Sequence, residues 1–491
     1  MQDSWQATVL DAILPLAVLI STAFTIFILT LPRAHSAFDI QEIEERFFTD
    51  DDRNNARQSS YAYFQEHKDG NGNLRFETPI QVVVLGDIGR SPRMQYHALS
   101  IASHGGMVDL FGYVDSEIHP DIQASRFINV VPIKPFPKRL QTSNRLVFLA
   151  IAPFKVLWQV WNLYYALGYR TKATKWMLVQ NPPSIPTLAI AQLVCFVRKT
   201  KLVIDWHNFG YSILALRLGK GHPLVKLAEW YEGFFSRGAT AHFAVTDAMT
   251  RVLKTKWSIE AITLHDRPPA LFQPFIETQQ EEFFSKLGRL IQWNPPASPR
   301  GWFLLVSSTS WTADEDFSIL LSALQSYSKR ASADSNLPHL LVVITGKGPQ
   351  KAYYESKIEH LTASGKLEHV DVRTAWLSIT DYASLLGAAD LGISLHKSTS
   401  GVDLPMKVVD MLGTGLPVAG WDAFEAWPEL IQEGVNGRGF SSAEGLAKIL
   451  EEVLGGDRGE LQRLREGALR ECERRWGGEW MPVAGRLFQL Q

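Results

Sequence analysis

Cysteine is nearly absent: the 491 residues hold two, Cys195 and Cys472, far apart in the chain. Such a pair forms neither a disulfide framework nor a cysteine-based zinc site. It fits a reducing compartment, and the complete lack of Asn-x-Ser/Thr acceptors agrees with that. Net charge is also nearly absent, at −2, which argues against nucleic acid as a partner. Gly 35 and Pro 25 are too few for a collagen-like or low-complexity chain. There is no short-period repeat, Walker A loop, nucleophile elbow or protein-kinase motif set, so nucleophilic and phosphoryl-transfer classes lose ground. The rest of the composition is ordinary, with 46% hydrophobic and 20% charged residues. At roughly 150 residues per domain, the length implies two or three domains.

One segment departs from the globular pattern. Ala12 to Leu31 (AILPLAVLISTAFTIFILTL) carries no charge and is long enough to cross a hydrocarbon layer of about 30 Å. A cleaved signal peptide would have a basic start and a shorter apolar core, whereas this one begins MQDSWQATVLD. A buried core helix is the alternative to a signal anchor over 1–32. Arg33 follows the run and only Asp3 and Asp11 precede it, which places the body on the cytosolic side. Residues 33–77 read as a polar spacer.

From residue 78 the texture becomes that of an α/β protein. The apolar runs at 81–89, 106–114, 127–133, 175–183 and 201–208 read as buried parallel strands separated by helices. The same pattern returns at 302–311, 339–349, 389–398 and 415–421. The expected organisation is two doubly wound domains, 78–275 and 301–491, joined by a helix and Pro-rich connection at 276–300. The aromatic stretch 145–169 reads as an interfacial helix, a second span or a buried helix.

Ligands of such sheets bind at the carboxyl ends of strands, so the strand-end loops are the candidate sites. In the first domain, GDIGRSPRMQ (86–95) brings Gly86, Gly89, Arg90 and Arg93 to a strand-to-helix turn suited to a phosphorylated ligand. Its spacing is not that of a dinucleotide-binding loop. In the second domain Ser308 and Thr309 close one strand and Gly346, Lys347 and Gly348 the next, while Asp403 and Lys407 follow the third. Pro405 marks a helix start, so Lys407 falls in a first helical turn, where a cation is disfavoured unless an anion is bound there. A snorkelling surface lysine is the alternative. Asp314 and Asp316 form a D-x-D pattern, but Thr312 with Glu315 reads as a capping box. His207 has no second histidine at a ligand spacing, so no metal site is expected.

The segments GDIGRSPRMQYHA (86–98), VQNPPSIPTL (179–188), DWHNFGYS (205–212), VSSTSWTADEDFSILLSAL (306–324) and SGVDLPMKVVDMLGTGLPV (400–418) resemble the chitobiosyldiphosphodolichol β-mannosyltransferase family. The resemblance runs from the N-terminal anchor to about residue 470. It implies a GT-B-type fold of two facing Rossmann-like domains. It also implies GDP-mannose as donor, dolichol-diphosphate chitobiose as acceptor, and no essential metal or other cofactor. The place implied is the cytosolic face of the endoplasmic reticulum membrane, in company with other mannosyltransferases of the pathway. Asp410 falls where related two-domain transferases carry the second of two glutamates, while Val402 stands at the first, beside Asp403. Inversion at the sugar calls for one general base, and Asp87, Asp205 and His207 are the candidates. The rival readings are a transferase of the same fold with another donor or lipid acceptor, and a non-catalytic scaffold subunit.

Overall fold

The structure is a computed structural model that describes residues 21, 22, 25, 79–137, 145–293, 301–312, 315–455 and 459–490. Most of the expected anchor, the spacer, Asp314 and residues 294–300 of the connection lie outside the described residues.

Among the described residues, thirteen strands form two sheets. The first contains β1 (Pro79–Asp87), β2 (Met107–Tyr113), β3 (Ile128–Pro132), β4 (Trp176–Asn181), β5 (Lys201–Trp206), β6 (Ala241–Ala244) and β7 (Ile262–Thr263), in the order β3-β2-β1-β4-β5-β6-β7. The second contains β8 (Trp302–Ser308), β9 (His339–Thr345), β10 (Val370–Ala375), β11 (Leu391–Ser394), β12 (Val418–Trp421) and β13 (Gly437–Phe440), in the order β10-β9-β8-β11-β12-β13. The pairings β1 with β2 and β4, and β8 with β9 and β11, are parallel. Chain order therefore reverses beside β1 and again beside β8, and each reversal opens a crevice at the strand ends. This is the doubly wound α/β architecture expected for both halves. Val82, Val83 and Val84 on β1 and Leu305 and Val306 on β8 are fully buried, which is why these runs are continuously apolar.

In the first half the main helices are α1 (Pro92–Ser103), α2 (Arg145–Tyr169), α3 (Thr187–Arg198), α4 (Gly210–Leu218) and α5 (Pro223–Ser236). Those of the second half include α6 (Asp247–Trp257), α7 (Glu277–Leu290), α8 (Phe317–Ala331), α9 (Lys351–Ala363), α10 (Ile379–Ala388) and α11 (Met406–Gly413). The chain divides into two compact units, one of Met1–Phe243 with Ala484–Gln491 and the other of Ala244–Val483. Both limits differ from the expected 78–275 and 301–491. Buried Phe488 packs against Trp176 and Phe243, holding the C-terminal residues to the first unit. Thr246 Oγ1 donates to Val402 O at 2.6 Å and Arg267 pairs with Glu471 and Glu479, tying 244–275 to the second.

The aromatic stretch 145–169 forms α2, with Leu163, Tyr164, Ala166 and Leu167 buried and Leu157 and Trp161 exposed. It is not a wholly buried helix. Among the described residues no helix is long and apolar enough to cross a membrane. The capping box at Thr312 is corrected. Helix α8 begins five residues later, and Asp316 caps it by accepting from Ser318 N at 3.1 Å.

Candidate functional site

In the second unit a cavity of about 320 Å³ lies beside the carboxyl ends of β8, β9 and β10. Ser308, Thr309, Gly346, Lys407 and Asp410, all singled out from sequence, line it together with Trp376 and Tyr382. Gly346 has φ +147°, and a Cβ there would stand 1.9 Å from Thr309 O, so only glycine lets the two loops close on each other. Gly348 presses likewise on Ser310. Lys347 lies at the cavity's edge with Nζ 4.3 Å from the Trp376 ring centre.

Lys407 does occupy the first turn of α11, preceded by Pro405. It is no simple surface lysine, for its Nζ is bonded to buried Glu315 Oε1. Glu315 Oε2 also accepts from Thr309 Oγ1 at 2.6 Å and Ser310 N at 2.9 Å. The carboxylate read from sequence as part of a cap is thus the hub that ties the β8 loop to Lys407.

Asp410 sits one turn further along α11, and burial, reinforced by Asp266, pushes its carboxyl up to about 8. It is therefore a hydrogen-bond donor near neutral pH. Burial also raises the Tyr382 hydroxyl, which pairs with Ser308 Oγ at 2.9 Å. Asp403 is nearly buried beside its own loop, where it meets His396 at 3.3 Å, Ser398 and Ser400. Burial opposes its ionisation, but His396 and the two serine hydroxyls hold its pKa below the ordinary range. It braces the loop and is not among the cavity's lining residues.

In the first unit Asp205, at the end of β5, is fully buried. Arg93 grips it from the first turn of α1, Nε to Oδ2 at 2.8 Å and Nη2 to Oδ1 at 2.9 Å. His97, one turn further on, lies 3.3 Å away, and His207 Nε2 is 2.8 Å from Oδ2. Burial raises the Asp205 pKa, yet Arg93, His207 and the histidine hydrogen bonds hold it well below the ordinary carboxylate range. Burial lowers the basicity of His97 despite Asp205. Asp205, a candidate base, is thus enclosed, and Arg93 of the candidate phosphate loop is buried with its guanidinium bonded to that carboxylate.

His207 remains partly exposed, with one ring nitrogen fixed on Asp205. In the glycine loop Gly89 lies against Glu117, where a Cβ would be 2.4 Å from the carbonyl oxygen. Asp87 accepts from Ser116 Oγ and from the backbone N–H groups of Asp115 and Ser116. Burial raises its pKa, but these bonds outweigh it and leave a weak base. Arg90 is exposed and bonds Ser116 Oγ at 3.2 Å, while Gly86 is the next-to-last residue of β1.

Among the described residues, Asp247, His265 and Glu429 are the one group spaced to hold a metal ion. Glu429, however, caps α6, accepting from Asp247 N at 2.6 Å and Ala248 N at 2.7 Å. His97, Asp266, Trp376 and Tyr382 escaped the sequence reading, and Glu315 was read only as part of a cap. Their signal is spatial, since each acquires its role from a residue distant in sequence.

The chain is 53% identical over 381 residues to the chitobiosyldiphosphodolichol β-mannosyltransferase of Arthroderma benhamiae, covering 77% of this chain and 85% of that protein. The human protein of the same name is 39% identical over 436 residues, covering 82% and 90%. Among solved structures, HepE from Anabaena in complex with UDP superimposes with a TM-score of 0.58 at 15% identity, over 84% of this chain and all of that one. The likeness is one of fold. No protein-family model matches the chain.

Proposed function

The chain belongs to the chitobiosyldiphosphodolichol β-mannosyltransferases and is a glycosyltransferase, and we propose that it moves mannose from GDP-mannose to dolichol-diphosphate chitobiose with inversion at the sugar. The observation that carries the placement of the donor is the cavity of the second unit, where hydroxyls, Lys407 and Asp410 converge. The donor pyrophosphate takes the N-terminal turn of α11, and Lys407 exchanges Glu315 for the phosphate oxygens. Its cation then opposes the charge that grows on departing GDP, an interaction strongest in the transition state. Asp410 donates a hydrogen bond to a sugar or ribose hydroxyl. Ser308 and Thr309 complete the polar lining, Lys347 stands over the Trp376 ring, and Asp403 steadies the adjoining loop. Lysine and helix terminus supply the positive charge, and this reading contains no metal or other cofactor.

The acceptor hydroxyl attacks the anomeric carbon as the bond to GDP breaks, so a single displacement needs no protein nucleophile. His207 is the base that takes the hydroxyl proton, and Asp205 orients its ring and stabilises the cation formed. Arg93 and His97 act behind Asp205 as positioning residues. Gly86, Gly89 and Arg90 are left as the loop for acceptor phosphate. The charge-free run at 12–31 anchors the chain in the endoplasmic reticulum membrane with its body cytosolic, a reading supported by Arg33 and by the lipid-linked acceptor in the relatives' name.

The test is turnover of a phytanyl-diphosphate chitobiose by purified protein with GDP-mannose or UDP-N-acetylglucosamine, each with and without EDTA. Transfer from GDP-mannose alone, unchanged by the chelator, is expected. Transfer from the uridine donor with none from GDP-mannose would overturn the reading.

A further inference from the structure

The first unit carries an apolar face that the transfer reaction leaves unused. On α2 the inner residues are buried, while Phe154, Leu157, Trp161 and Tyr165 recur at three- and four-residue intervals and are exposed. Helix α3 packs between α2 and α5, and α4 packs on α5. At the end of α3, Phe196 is 84% exposed. Helix α5 repeats the pattern of α2. Val225, Glu232 and Ser236 are buried, whereas Leu224, Leu227, Trp230 and Phe234 form an exposed stripe. The Trp230 and Phe234 rings stack at 5.3 Å. On α4, Leu216 is 63% exposed. Scattered apolar side chains on a surface need no explanation, but a set on neighbouring helices marks an interaction site.

Charge identifies what covers it. Residues 145–237 hold twelve Lys and Arg against three Asp and Glu, within a chain whose net charge is −2. Two of the three acids, Asp205 and Glu232, are buried. The exposed cations Lys155, Lys199, Arg217, Lys220 and Lys226 therefore lie on the same helices and their ends, in a segment poor in acidic residues. Apolar helical stripes rich in Trp, Tyr and Phe and bordered by Lys and Arg suit the boundary between lipid headgroups and acyl chains. Basic side chains at that depth are drawn to anionic lipid. The sequence supplies a second pointer to a bilayer, the charge-free run at 12–31.

We propose that α2, the end of α3 and the α4–α5 hairpin lie in the surface of an anionic bilayer, as a membrane contact separate from the 12–31 segment. This goes beyond the transfer reaction and holds whichever sugar donor is used. Membrane contact along these helices fixes the first unit's orientation to the lipid, which a single terminal anchor does not.

Both native cysteines are buried, so one introduced surface thiol can be labelled selectively. Full-length protein carrying an environment-sensitive fluorophore at Leu157→Cys or Leu227→Cys is reconstituted into phosphatidylcholine vesicles with and without phosphatidylserine. Tyr353→Cys, an exposed position of the second unit, is the reference. Emission at 157 and 227 should rise severalfold, shift to the blue and be quenched by spin-labelled acyl chains, more so with phosphatidylserine, while 353 stays as in water. Leu227→Glu combined with Trp230→Glu should lower turnover of bilayer-embedded acceptor severalfold and spare a short dispersed acceptor. Labels at 157 and 227 as water-exposed as that at 353 in both lipids would overturn the proposal, as they would if the face awaited a protein partner. So would an equal loss, or no loss, on the two acceptors.

Discussion

Lys407 and Glu315, 92 residues apart in sequence, form an ion pair in which the carboxylate is buried and the lysine lines the cavity of the second unit. The pair makes Lys407 both a ligand candidate and a structural counter-ion. Lys407→Ala is expected to lower kcat by roughly 10²–10³, as removal of one preorganised group facing developing charge does. It should also cost about 1–3 kcal/mol of stability, because Glu315 loses its cation. Adding Glu315→Gln should restore part of the melting temperature and none of the rate. Rates and melting curves of the single and double variants check this, and normal turnover by a folded Lys407→Ala would remove the pyrophosphate from this turn.

Asp410 makes stability depend on pH. With its carboxyl raised to about 8 from an ordinary 3.8, the folded chain keeps a proton that the unfolded chain releases between those values. This contribution is full below about pH 4 and is lost as pH rises through about 8. The melting temperature of the parent should fall from pH 6 to pH 9 more steeply than that of Asp410→Asn. Equal slopes would show that Asp410 ionises normally.

Arg93 distinguishes a structural grip from phosphate binding. Its partner Asp205 is fully buried, so Arg93→Ala leaves an uncompensated interior charge and should cost about 3–5 kcal/mol. Exposed Arg90→Ala should change stability by no more than about 0.5 kcal/mol. Denaturant melts of the two proteins decide it. A loss of acceptor affinity without destabilisation in Arg93→Ala would return that arginine to the phosphate loop.

The strands most legible in the sequence are those buried on both faces, such as β1 and β8, whose apolar runs are unbroken. Strands β10 and β13, both at a sheet edge, escape because neither carries an unbroken apolar run. VDVRTA alternates polar and apolar residues, and GRGF is half glycine. The loops that line the cavity were readable for the same reason that strand ends carry ligands in these sheets. Pairings were not: Arg93 meets Asp205 across 112 residues and Lys407 meets Glu315 across 92. Local pattern assigned Glu315 to a cap and Arg93 to a phosphate, and only the fold shows that each is spent on the other end of an ion pair.

His207 carries the proposed proton transfer. His207→Gln should lower kcat by roughly 10²–10⁴, the usual yield of a general base. Its partly exposed ring makes the effect on melting small. The low-pH limb expected of the parent's pH–rate profile, where the base is protonated, should vanish in the variant. A rate loss matched by a large fall in melting temperature, with the profile's shape retained, would mark His207 as structural.

The most direct test of the account is the anomeric configuration of the trisaccharide made by purified protein from GDP-mannose and a phytanyl-diphosphate chitobiose, read from the one-bond carbon–hydrogen coupling at the new linkage. A single displacement with His207 as base predicts β-linked mannose and one GDP released for each sugar transferred. An α-linked product, or GDP-mannose left intact beside a folded enzyme, would contradict it.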